Sequence, residues 1–295
     1  MLLVVGLGLG VAACASEPAA EDDEPGDIAE EDVGAGDVGT ARVDPLLMPR
    51  VIVDFLNQQG WGRHHLEWHT TRRWDLLAEA DIEWAQRQGW RRATLQEGTP
   101  GNGLEFLAMH RVMLRTLSKK APRYASLFAG WKQVPTDPRD RADPLPGGDD
   151  SGFDVEMQKA LARLETQLDG IKSDDELGLF LETTLRPSRT NPRARAKDKR
   201  AGLHNYLHNR FTDAGSKIDI GDPSVNLANK RFWRLHGWID AVWTRWRALK
   251  GLGDDAPAYA RALALAEAEM SAHGGVRSPR PEPIPETLRH IFALE

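Results

Sequence analysis

The stretch "GLHNYLHNRF", residues 202–211, sets His204 and His208 four positions apart, with Asn205 directly after the first. On a helix, positions i and i+4 share one face, so both imidazoles project the same way. With nine histidines in 295 residues, such a pair is either an incidental spacing of exposed side chains or a pair of metal ligands. Downstream, "KRFWRLHGWIDAVWTRWRALKG" places His236 among Phe232, Trp233, Trp238, Ile239, Val242 and Trp243. An imidazole amid that much apolar surface must satisfy both of its nitrogens. A hydrogen-bonded core histidine would do so. So would a metal, because a pair on one helix and a third imidazole on another suit copper or zinc in a bundle core. His110, in "FLAMHR", adds a fourth inside another apolar helix.

Working outward, the remaining periodicity is helical. "MPRVIVDFLNQQG" reads as a short helix closed by Gly60, and "TTRRWDLLAEADIEWAQRQG" as one helix through Trp74, Leu77, Asp81 and Trp84, ended by Gly89. "LEFLAMHRVMLRTLSKK" repeats the pattern and ends in bases that suit a helix C-terminus. A Pro- and Gly-rich connection covers residues 134–152. Then come "FDVEMQKALARLETQLDGI" and "SDDELGLFLETTL", the latter with Ser173 as N-cap and Glu176 three residues on. A last helix, "APAYARALALAEAEMSAHGG", leads into a Pro-rich tail. No strand series stands out, so the expected class is all-α, a helical bundle with long loops. Ten tryptophans against three tyrosines suggest a core propped open by large rings.

Hydrophobic residues make up 41% and charged residues 28%, enough apolar surface for one sizeable core. The first sixteen residues, "MLLVVGLGLGVAACAS", form a short apolar run ending in small residues, as a secretory signal does. Residues 17–44 read as an acidic, disordered tether: "SEPAAEDDEPGDIAEEDVGAGDVGTA" carries ten acids and no base. The whole chain is at −6, but outside that stretch 38 bases face 34 acids, leaving +4. The densest basic run, "RPSRTNPRARAKDKR", is Pro-broken and lacks aromatics for base stacking, so no nucleic-acid partner is expected.

Two resemblances follow from these motifs. "VAAC" resembles the lipobox of bacterial lipoproteins, in which the cysteine is lipidated. Cys14, the sole cysteine, would then anchor an exported protein to a membrane. "LHNYLHNRF", followed by "DPSVNLANKRFWRLHGWIDAVW", resembles the second copper motif of tyrosinases and other type 3 copper proteins. The resemblance implies His204, His208 and His236 as ligands of one copper and Asn205 as a catalytic orienting residue. Asp222 and Pro223 match the family's turn, with a short insertion before Phe232, and Asp240 and Trp243 match its closing pair.

"FLAMHRVMLRTL" is similar to the last part of the family's first copper motif, with His110 as a ligand and Met109 in place of a tryptophan. The earlier ligands are missing where the family has them: position 101 is Gly101, and "TLQEGTPGNGLE" has no histidine. His64, His65 and His69 lie further upstream and are expected to form a partly exposed helical end, with an incidental spacing. Glu97 or Glu105 offers oxygen as a substitute ligand. The carboxylate that helps deprotonate a phenol in the family has only Asp198 in the corresponding region. The resemblance therefore implies a tyrosinase-like domain over residues 45–250, ahead of a C-terminal helix and tail at 251–295. It would hold one or two copper ions and use dioxygen on a phenolic or catecholic small molecule. The alternatives are a mononuclear copper-binding lipoprotein without turnover and a metal-free helical scaffold.

Overall fold

Gly60 does two jobs at once: in a left-handed conformation (φ 65°) it closes the first helix and stands as N-cap of the second. From that hinge a computed structural model describes residues 44–135, 155–182, 202–211, 218–273 and 282–292. These hold helices α1 (Arg50–Gln58), α2 (Trp61–Arg72), α3 (Glu79–Arg87), α4 (Asn102–Lys120), α5 (Ala125–Phe128) and α6 (Val155–Thr166). After them come α7 (Asp174–Glu182), α8 (Leu203–Arg210), α9 (Lys230–Leu249), α10 (Pro257–His273) and α11 (Glu286–Arg289). Among the described residues there is no strand, and the fold is all-α. None of the described helices is long and apolar enough to cross a membrane. Cys14, the acidic tether, the basic run and Asp198 fall outside the described residues.

The long helix α4 is the axis, packed against α7, α9 and α10. Its approach to α7 is made by Gly103 and Gly178, each of whose missing Cβ would run into the backbone of the other helix. Gly178→Ala is therefore expected to destabilise the protein by about 1–3 kcal/mol, through forced separation of two packed backbones. Urea denaturation reads this directly, and an unchanged midpoint would mean that the helices do not meet there. Ser173 caps α7 as its sequence suggests: the Glu176 N–H donates to Ser173 Oγ at 3.0 Å, and Glu176 Oε2 accepts from the Lys172 N–H at 2.9 Å.

All ten tryptophans are buried. Three of the four on α9 also satisfy their indole N–H groups: Trp233 donates to the Leu227 carbonyl, Trp243 to Asp174 and Trp246 to the Ile171 carbonyl. Arg111 lies 3.8 Å from the Trp243 ring centroid and pairs with Asp240, so the two closing residues of the α9 motif serve as packing.

One expected helix is two. The segment from Thr70 to Gly89 breaks at Leu77 and Ala78, both extended (ψ 148° and 156°), after a short 3-10 turn at Trp74–Leu76. The break has a tertiary cause. It turns Trp74, Leu77, Ile82 and Trp84 into a second, smaller core with Leu66, Trp90, Leu288 and Phe292. Asp81, on the same face, is buried and accepts from Thr287 at 2.6 Å. In consequence residues 61–72 form a separate helix, lying against α1 and α10.

Candidate metal centre

Four helices bring six imidazoles together. Helix α2 supplies His65 and His69, α4 supplies His110, α8 supplies His204 and His208, and α9 supplies His236. All six are buried, none more than 2% exposed. Ligating atoms of His65, His69 and His110 lie within 4.8 Å of one another, and so do those of His110, His204 and His236. His208 completes the second group, its Nε2 3.4 Å from Nε2 of His236. The two groups adjoin: His110 stacks on His236 at 3.8 Å between centroids and 8° between planes, and His69 on His204 at 5.5 Å and 16°.

The expectation of a partly exposed end at His64, His65 and His69 is thus corrected. His64 is buried as well, though outside both groups. The i,i+4 spacing of His65 and His69 puts both rings in a group that could hold a metal ion. Glu97 and Glu105 are not substitute ligands here: they face Arg73 and Arg72, respectively, in ion pairs. Among the described residues, both groups are made of histidine alone.

Each outer hydrogen bond decides which ring nitrogen faces inward. His65 Nδ1 donates to the Pro223 carbonyl (3.3 Å), His110 Nδ1 to the Phe106 carbonyl (2.9 Å) and His208 Nδ1 to the Ile220 carbonyl (2.6 Å). A carbonyl oxygen can only accept, so these rings are protonated at Nδ1 and keep a bare lone pair on Nε2. His204 does the same against Asn205 Oδ1 at 3.1 Å. The loop at 218–226 supplies two of these acceptors. Asp222 holds it by accepting from the backbone N–H and hydroxyl of Ser224, at 2.8 and 2.6 Å.

On the inner side the hydrogen bonding thins to the contact between His208 Nε2 and His236 Nε2. Nε2 of His65, His110 and His204, both nitrogens of His69 and Nδ1 of His236 are buried without a hydrogen-bond partner. Buried polar atoms are ordinarily paired, and an exposed lone pair in an apolar interior costs free energy. Five rings that turn bare nitrogens on one another, with His208 beside them, fit a cation between them. Phe106, Phe232 and Phe292 wall the site, with Phe292 stacked on His208 at 4.6 Å and edge-on to His69 at 4.8 Å.

Burial pushes all six imidazoles well below their ordinary value, with further repulsion among the rings of His69, His110, His204 and His236. His65 and His208 are lowered to about 3, again chiefly by burial. They are neutral at pH 7, the state a metal requires. The same interior holds a second group of buried charge. Glu182 on α7 is pushed well above the usual carboxylate range, first by burial and then by the negative charge of Glu97.

The histidine groups can hold a metal ion. Nitrogen-only ligation by imidazole suits zinc, copper, iron or nickel. No family model matches the chain, and no curated protein matches it either.

Proposed function

We propose that the protein is an exported, tyrosinase-like oxidase that holds two copper ions and oxidises a catechol or related phenol with dioxygen. The observation that carries this reading is the pair of histidine groups that meet at His110, His65–His69–His110 and His110–His204–His236, with His208 Nε2 3.4 Å from His236; we assign His110 to the first ion and His204, His208 and His236 to the second. The second group is the one whose surrounding sequence resembles the family's copper motif, and the first supplies ligands that motif spacing did not reveal. With two groups present, a mononuclear protein loses its main support, which was a shortage of ligands. A metal-free scaffold would have no reason to keep unpaired nitrogens facing inward.

Two copper ions, when bound, supply the redox chemistry that couples catechol to dioxygen. Two catechols each give up two electrons and two protons to one dioxygen, leaving two quinones and two waters. The chain's own part is to hold four rings in the Nδ1–H form, to keep all six neutral and to exclude water with the surrounding phenylalanines. Asn205 acts on the ligand His204, against whose Nδ1 its carbonyl stands. Because every imidazole is buried, an organic substrate reaches the centre only when covering side chains such as Phe292 move aside. A membrane anchor through Cys14 belongs to the same proposal.

Copper reconstitution tests it. Two ions per chain, a silent EPR spectrum and oxygen consumption with a catechol are expected. A single ion with a visible spectrum, or two ions with no oxygen uptake on catechols, would sink the oxidase.

A further inference from the structure

Arg73 lies at the C-terminal cap of α2 and is 3% exposed. Each of its three nitrogens faces an oxygen from a different part of the chain. Nε faces the Glu97 carboxylate, one terminal nitrogen donates to the Ile291 carbonyl, and the other donates to Asn205 Oδ1 at 2.8 Å. A guanidinium has donors only, so whatever atom of the Asn205 amide faces it must be the oxygen. That same oxygen stands 3.1 Å from Nδ1 of His204.

We infer that Arg73 is a positioning residue for the metal centre: by fixing which way the Asn205 amide points, it sets the tautomer of His204. The chain of constraints has no free step. The arginine can only donate, so the amide presents its oxygen. The oxygen can only accept, so His204 carries its proton on Nδ1. The Nε2 lone pair of His204, buried and without a hydrogen-bond partner, is then available inward. Were the amide reversed, its NH2 would face His204 Nδ1, the proton would move to Nε2, and that ring would present a hydrogen where a ligand atom is needed. His65, His110 and His208 have their tautomers set by backbone carbonyls, which cannot reverse. His204 alone among these four relies on a side-chain amide, and so needs a second residue to hold it. Glu97 keeps the arginine itself in place, which gives that ion pair a role at the centre although neither member touches a ligand nitrogen in the described contacts.

The inference rests on His204 being a ligand, but its test does not require a metal. In the 15N-labelled, metal-stripped full chain, two-bond 1H–15N correlations report which ring nitrogen of each histidine is protonated, and His204→Gln identifies the resonance. Wild type is expected to show His204 protonated at Nδ1. Arg73→Met is expected to bring in the Nε2–H form and to weaken copper binding at that group by roughly 10–100-fold. Arg73→Lys, which keeps a donor, should largely restore both. If Arg73→Met does not fold, Arg73→Met with Glu97→Gln removes the pair without leaving a buried carboxylate unpaired and carries the same expectation. An Nε2–H His204 in wild type, or an unchanged tautomer in whichever arginine variant folds, overturns the inference. A wild-type tautomer as expected with no copper bound at all would instead count against the copper reading alone.

Discussion

Replacing His69 with alanine is expected to lower the copper content of the protein from two ions to one and to make a silent EPR spectrum visible. His69 has neither ring nitrogen hydrogen-bonded, is buried, and lies within ligating reach of His65 and His110. Its loss leaves the first group with two imidazoles while the second keeps His204, His208 and His236. The ion that remains has no coupled neighbour to cancel its spin. Oxygen uptake with a catechol should fall to background, because the reaction needs both ions. The sharpest control is His64→Ala. That residue is equally buried and five positions away in sequence, but it belongs to neither histidine group, so two ions should be retained. Two ions in the His69 variant would remove α2 from the metal centre and return the protein to the mononuclear reading.

Acid is expected to unfold the metal-free protein in the window from about pH 6.5 down to about 3, far more steeply than the metal-loaded form. The sign follows from which state binds protons. Unfolded imidazoles titrate near 6.5, whereas His65 and His208 in the folded protein resist protonation until about 3 and the other four are also shifted well down. Above 6.5 neither state carries these protons and the histidines do not affect stability. Below it the unfolded chain gains protons that the native state refuses, so stability falls with pH. Six such groups cost together up to about 8 kcal/mol one pH unit below 6.5, comparable with the whole stability of an ordinary domain. Glu182 works in the opposite direction, since its raised value lets the native state take a proton first, but it is one group against six. Bound metal competes with protons for the same nitrogens and should carry the transition to lower pH. Circular dichroism against pH, with and without copper, reads both curves; a metal-free protein still folded at pH 4 would contradict the burial of these rings.

The second half of the site was legible because its signals are local. The spacing of His204 and His208, the apolar surroundings of His236 and the Asp222–Pro223 turn all lie within 40 residues, each interpretable without knowing the fold. His110 was legible for the same reason, inside an apolar helix. The first half was not. In "WGRHHLEWHTTR" polar and apolar residues surround the helix almost evenly, so no face announces itself as buried. The burial arises from α1, α10 and the segment around Phe292 closing over it, and these contacts are remote in sequence. Arg73 and Glu97 were invisible as a unit because buried ion pairs leave no periodic trace, and Glu97 read alone looked like a spare ligand. The break at Leu77–Ala78 was equally hidden: local propensity favours helix there, and a second core overrules it.

The interior around the six histidines differs in kind from the rest of the core. Elsewhere hydrocarbon and indole rings fill the space and stabilise the fold whatever the solvent contains. Here the helices meet through nitrogens, and a cation held between them would supply their mutual attraction. A chain with a single cysteine has no internal disulfide to share that task. An ion present at a thousand times its dissociation constant adds about 4 kcal/mol to folding. It would do so at the junction of α2, α4, α8 and α9, which no disulfide joins. Under the proposed function, ions held there would act as structural keystones as much as reagents: their supply would govern how long the molecule lasts, not only how fast it works.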